Sequence, residues 1–191
     1  MPSEVSICNI ALNHLGERRI TALTEDNPSA RLCNDNYFDT RDSEITKREW
    51  NFAIARTSLA QDVTGPIFEF DNSYQLPVEC LRVLNTEEEL DIWRIEGRKL
   101  LTNADSVFIR FLQVVTDPNQ FPHDFIQALG LALALVIGTA ITKSEKLMLR
   151  LGSDYDTAIS DASGVNLSEV GQSRDDLHFS WIRGRGQAFH G

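Results

Sequence analysis

The side chains that could do chemistry are numerous but poorly grouped. His14, His123, His178 and His190 fall in no H-x-x-x-H or related spacing, so they do not make the pattern that a metal site uses. The chain holds no G-x-S-x-G nucleophile turn, no G-x-x-x-x-G-K-[ST] phosphate loop and no G-x-G-x-x-G after a strand. Among 28 Asp and Glu residues some pair could be nominated as the acid and base of a glycoside hydrolase, yet nothing in the sequence singles one out. The densest acidic run, Glu87-Glu88-Glu89, reads as a solvated loop rather than a reacting carboxylate set. Cys8, Cys33 and Cys80 are odd in number and widely spaced, with no C-x-x-C, which fits small buried hydrophobes in a reducing compartment. No catalytic residue, cofactor or metal is assigned on these grounds, and a protein without enzymatic activity is expected.

The balance of charge narrows the choice of partner. Eighteen Lys and Arg against 28 Asp and Glu give a net charge of −10. A general nucleic-acid binder needs the opposite sign to displace counterions from phosphate. One Arg183-Gly-Arg-Gly186 stretch is weak support for a DNA-binding regulator in so acidic a chain. Hydrophobic residues make up 42% and charged residues 24% of 191, ordinary proportions for a globular domain with a real core. Met1-Pro-Ser-Glu4 has neither a basic nor an apolar leader region, so no signal peptide is expected.

The elements that must position any surface are read from periodicity. Residues 125–141 are apolar almost all the way round, with Asp124 before and Lys143 after. A helix of this kind needs neighbours on every side. The run is shorter than the roughly 20 residues of a bilayer span and contains two glycines and a Gln, so a central core helix is expected. Its small positions, Gly130 and Gly138 among them, would let other helices approach closely. Ser3 caps a first helix that carries Ile7, Ile10, Ala11 and Leu15 and stops at Gly16. Asn27-Pro28 opens a second, with Leu32, Cys33, Tyr37, Phe38 and Ile45, reaching about Glu49. Residues 50–59 read as its continuation or restart, with Trp50, Ala53 and Leu59 inward. After Gly65-Pro66 the pattern changes to short strands at 68–70, 74–77, 80–84 and 107–111, and to a hairpin at 92–101 with Gly97 in the turn. A last helix begins at Ser144-Glu145, carries Leu147, Leu151, Tyr155, Ala158 and Ala162 on one side, and ends at Gly164.

These elements add up to an α+β fold. A helical bundle spans 1–66 and 117–164, a small antiparallel β module is inserted at 67–116, and 165–191 form an extended C-terminal tail. That tail is polar, yet it carries Phe179, Trp181 and Phe189 beside Arg174, Arg183 and Arg185, the residue types that anchor a segment on a partner.

Several stretches in collinear order resemble one family. They are Ile7 to Gly16, Asn27 to Cys33 and on to Tyr37, Trp50 to Arg56, Tyr74 to Val83, Trp93 to Gly97 with Leu100 to Thr102, and Asp117-Pro118 with Phe121-Pro122. Across roughly residues 3–163 the chain resembles the tail tubular protein A, or head-to-tail adaptor, of short-tailed bacteriophages. The resemblance implies a structural virion protein, assembled in the host cytoplasm and located in the tail at the portal vertex. Such adaptors form a homo-oligomeric ring, typically a dodecamer, between the portal protein and the tail nozzle protein, with DNA passing through the lumen unread and no membrane involved. Phe179, Trp181, Arg183, Arg185 and Phe189 are then candidate contacts to the portal or a neighbouring subunit. Glu87, Glu88, Glu89 and Trp93 are candidate nozzle contacts, although Trp93 also suits the sheet core. A tail-associated polysaccharide hydrolase is the enzymatic alternative.

Overall fold

A computed structural model describes residues 1–86 and 92–169. The first helix, α1 (Glu4–Leu15), starts where expected because Ser3 and Ser6 cap each other: the Ser6 amide donates to Ser3 Oγ at 3.1 Å and the Ser3 amide to Ser6 Oγ at 2.8 Å. It stops at Gly16, which takes the left-handed conformation (φ 77) that other residues resist. Buried Asn9 then fixes the connection, donating to the Ile20 carbonyl and accepting from the Ile20 amide, both at 2.8 Å. The second helix, α2 (Pro28–Lys47), is capped by Asn27, whose Oδ1 accepts from the Ala30 amide at 2.8 Å.

From here the chain departs from its reading as a helix. A 3-10 turn (Asn51–Ala53) leads into a strand, β1 (Ile54–Ser58), so residues 54–58 of the stretch assigned to the bundle are sheet. Trp50 and Ala53 are buried as expected, and Trp50 Nε1 donates to the Glu44 carbonyl at 3.0 Å. Leu59 instead packs against the core of the β module. The aromatic spacing suggested helix, but the β-branched Ile54 and Thr57 and a partner strand with which to pair decide for sheet.

Five further strands follow: β2 (Asn72–Gln75), β3 (Cys80–Thr86), β4 (Trp93–Glu96), β5 (Lys99–Thr102) and β6 (Phe108–Gln113). They form two antiparallel three-stranded sheets, β1-β6-β3 and β2-β5-β4, rather than one. Gly97 turns the β4–β5 hairpin at φ 58, as read from the sequence. Tyr74, Leu76, Leu100, Ile109 and Phe111 fill the small core of the β strands. Residues 68–70 make no strand. Glu69 sits at φ 74, and the Phe70 amide donates back to the Phe68 carbonyl at 2.9 Å, a tight turn.

A second 3-10 turn (Pro118–Gln120) returns the chain to α3 (His123–Ile141), the central helix. It packs against α1, α2 and the last helix, α4 (Glu145–Ser168), and 11 of its 19 residues are buried. By length and composition α3 alone among the described helices could cross a membrane, but most of its apolar window is buried inside the protein. The two glycines do what close packing needs. A Cβ on Gly130 would lie 2.6 Å from Ile10 Cγ2 of α1, and one on Gly138 would lie 2.8 Å from Met148 Sδ of α4. Where β6 hands over to α3, Trp50, Phe52, Phe121 and Phe125 stack with centroid separations of 4.8 to 5.5 Å between contacting pairs, except Trp50–Phe52 at 6.2 Å. The wrapping is incomplete at the other end, where Val136, Thr139 and Ala140 face solvent.

Helix α4 carries the expected inward residues, Leu151 and Ala162 among them, and also buries Ile159. It does not end at Gly164. The final turns are held by Asn166, which accepts from the Asn51 amide at 2.8 Å and donates to the Glu49 carbonyl at 2.8 Å. Residues 165–168, assigned to the extended tail, are therefore helical.

Candidate interaction surfaces

The residues singled out for partner contact are mostly beyond view. Glu87, Glu88, Glu89, Phe179, Trp181, Arg183, Arg185 and Phe189 lie outside the described residues. Trp93 opens β4, opposite Thr102, and packs half-buried against the core of the β module.

The strongest surface signal is one that periodicity missed. Between β1 and β2 the chain makes a tongue over the outer face of the β2-β5-β4 sheet. Its base is clamped: the Asp62 amide donates to the Ser73 carbonyl at 2.8 Å, Ser73 Oγ donates to Asp62 Oδ2 at 2.7 Å, and Lys99 Nζ pairs with the same oxygen at 2.8 Å. The Lys99 and Ser73 hydrogen bonds hold the Asp62 carboxyl below its usual 3.8. At the far end the Asp71 amide donates to Asn103 Oδ1 at 2.9 Å, Arg94 pairs with Glu69 at 3.0 Å, and the Arg94 guanidinium lies over the Phe70 ring. Phe70 is buried beneath, while Val63, Ile67 and Phe68 are 106%, 100% and 79% exposed. Three large apolar side chains are thus displayed on a loop whose backbone is tied down at both ends. Val78 and Ile92 of the same module are exposed as well. The sequence signal available was Val63, Ile67 and Phe68 around Gly65-Pro66, of which only Phe68 was placed, in a strand at 68–70.

A second apolar area lies at the C-terminal end of α3. There Val136 and Leu149 are exposed, and Met148 and Leu149 line a shallow groove of about 780 Å³ between the end of α3 and the start of α4. On α2, exposed Phe38 lies against Tyr37 and Arg41. Tyr37 Oη and Arg41 Nη1 are buried without a hydrogen-bond partner among the described residues, and burial pushes the Tyr37 phenol up.

Several groups that could react are engaged or sealed. Glu44, 2% exposed, pairs with Lys47 Nζ at 2.5 Å and accepts from Tyr155 Oη at 2.8 Å. Burial opposes the charge on Lys47, but hydrogen bonds to Glu44 and Tyr155 outweigh it and raise its pKa. Cys8, Cys33 and Cys80 are buried free thiols, as expected from their spacing. A hydrogen bond with Cys33 and burial push the Cys8 thiol up, away from the reactive thiolate. Among the described residues no group of three His, Cys, Asp or Glu side chains is placed to hold a metal ion.

No protein-family model matches the chain, and no curated protein matches it.

Proposed function

We propose that this protein is a structural adaptor that assembles into a ring with copies of itself and joins the portal of a short-tailed phage to its tail nozzle. The observation that carries the reading is the clamped tongue with Val63, Ile67 and Phe68 turned to solvent. Exposed apolar side chains on a fixed scaffold suit docking rather than turnover. A ring needs two different, complementary faces on each subunit. The groove at Met148 and Leu149 and the α2 face at Phe38 supply two separate surfaces for that purpose. The tongue is left for the nozzle, and Phe179, Trp181, Arg183, Arg185 and Phe189 for the portal. The collinear resemblance supplies the identity of these partners.

The test is electron microscopy of the purified chain, alone and mixed with a podovirus portal protein, together with a variant that stops after Glu169. The full chain should form rings or decorate the portal, and the shortened chain should keep its helical signal but lose the portal. Portal binding by the shortened chain would remove the tail from the interface. No ring and no portal binding by the full chain would overturn the adaptor reading.

A further inference from the structure

The two sheets of the β module share one core, and pairing around that core is broken at one seam. Beyond Ser58 the chain runs on along β2: the Asp62 amide donates to the Ser73 carbonyl at 2.8 Å and the Gln75 amide to the Ala60 carbonyl at 3.3 Å. With the two ladders this gives the order β4-β5-β2-β1-β6-β3. Every strand feeds the same core: Ala55 from β1, Tyr74 from β2, Val83 from β3, Trp93 from β4, Leu100 from β5 and Phe111 from β6. That is the arrangement of a small barrel. Its terminal strands, β3 and β4, share no ladder among the described residues.

The core is open along that seam. Ile95 faces Leu100 across β4 and β5, and Val83 faces Phe111 across β3 and β6, and residues so opposed lie on one face of a sheet. Leu100 and Phe111 are 0% and 2% exposed, whereas Ile95 is 37% exposed and Val83 and Trp93 are half-buried. Backbone direction agrees. The Leu59 amide bonds to the Val107 carbonyl and the Leu76 amide to the Arg98 carbonyl. Ladder groups alternate along a strand, so β6 turns Arg110 and Leu112 toward β3, and β5 turns Lys99 and Leu101 toward β4. The backbone groups of Val83, Trp93 and Ile95 are left pointing into the seam. One end of the seam is crossed by a side chain instead of a ladder: Arg98, in the β4–β5 turn, donates to the Cys80 carbonyl at 3.5 Å and to the Val78 carbonyl at 3.1 Å. On the other face of β3, in register with Leu112, Arg82 has a buried Nε with no hydrogen-bond partner among the described residues.

We propose that the seam between β3 and β4 receives one extended segment of another protein, which completes the barrel by pairing with both edges. Only an extended backbone offers donors and acceptors on both its sides at strand spacing, so a strand fits where a helix does not. Its inward side chains are apolar, because they cover Val83, Trp93 and Ile95. Its outward face carries a carboxylate for Arg82. The donor is another protein because no described segment of this chain is free to serve. Each described strand is already used in the barrel, the tongue is tied at both ends, and the connection after α1 is pinned at Ile20. The inference stands on the two free edges, whether or not the adaptor reading holds.

The probe is a synthetic peptide of about nine residues, a usual strand length, alternating valine with threonine and carrying glutamate in place of the middle threonine. It is titrated into the isotopically labelled full chain. The Val83, Trp93 and Ile95 amides should shift and exchange their hydrogens about tenfold more slowly, while exchange at Leu101 and Leu112 stays as it was. The same peptide methylated on its backbone nitrogens should do neither. Ile95→Pro removes a seam donor without touching the β5 ladder and should weaken binding about tenfold. Ile95→Lys, which keeps the backbone, should weaken it as well by setting a charge on the free edge. Lysine in place of the peptide's glutamate should bind more weakly, and that difference should vanish in Arg82→Gln. No change at the seam amides, or binding that survives backbone methylation, would overturn the proposal. Protection of those amides in the full chain without peptide would also overturn it. It would give the seam to the chain itself if independent of concentration, and to a second copy if it grows with concentration.

Discussion

A methyl group on Gly130 tests whether α1 and α3 meet as closely as described. The added Cβ would lie 2.6 Å from Cγ2 and 3.0 Å from Cβ of Ile10, well inside contact distance. Ile10 is β-branched and sits within a helix, where about 90% of such side chains hold one rotamer, so Cγ2 cannot swing aside and the helices must part. Overpacking of this kind costs about 1–3 kcal/mol. Against it stands the propensity gain of Gly to Ala in a helix, about 1 kcal/mol. Gly130→Ala should therefore lose about 0–2 kcal/mol, seen as a lower urea midpoint at unchanged slope. Gly164 provides the control, because it is helical and nothing lies within 4 Å of its Cβ position. Gly164→Ala should gain about 1 kcal/mol from propensity alone. Ile10→Ala removes Cγ2, the closer of the two clashing atoms, and leaves Cβ at 3.0 Å, so the double variant should recover about 0.5–3 kcal/mol of coupling. If Gly130→Ala stabilises as much as Gly164→Ala and shows no coupling to Ile10, the close approach is refuted.

Asn9→Ala should be the more damaging change in α1. It leaves the Ile20 amide and carbonyl without their 2.8 Å partners at a buried site, worth about 2–4 kcal/mol in total. At about 2–4 °C per kcal/mol for a chain of this size, the melting midpoint should fall by roughly 4–16 °C, and an unchanged melt would contradict the pin. The tongue should loosen in acid. Because Asp62 is held below 3.8 in the folded protein, its clamp is fully formed above that value and is lost as pH falls through the lower folded one. An NMR titration should show tongue amides shifting with a midpoint below 3.8 that moves up in Lys99→Ala, whereas a midpoint at or above 3.8 would refute the clamp. Ile67→Asp with Phe68→Asp should leave the unfolding free energy within about 0.5 kcal/mol of wild type, since both side chains are exposed. The same pair should abolish nozzle binding in a pull-down, and intact binding would remove the tongue from that role.

The helices were legible where local chemistry decides. Ser3, Gly16 and Asn27-Pro28 set boundaries that tertiary contacts did not move, and the apolar run with Gly130 and Gly138 announced a helix crossed by close neighbours. Strand β1 was not legible, because Trp50 to Leu59 satisfies helical spacing and only pairing with β6 decides otherwise. Gly164 looked like a stop, but an unobstructed glycine does not end a helix whose next turn is held through Asn166 by Asn51, 115 residues away. Surface features were the least visible. The open seam between β3 and β4 exists only in the order in which the strands pair. Val63, Ile67 and Phe68 carry the apolar residue types of a core, and their exposure follows from how Asp62 and Asp71 tie the loop ends.

The most direct test of the adaptor account is native mass spectrometry of the chain with and without a podovirus portal protein. The account predicts a closed multimer of the 21.5 kDa subunit, either alone or nucleated on the portal. A chain that stays at 21.5 kDa and ignores the portal at micromolar concentration would contradict it.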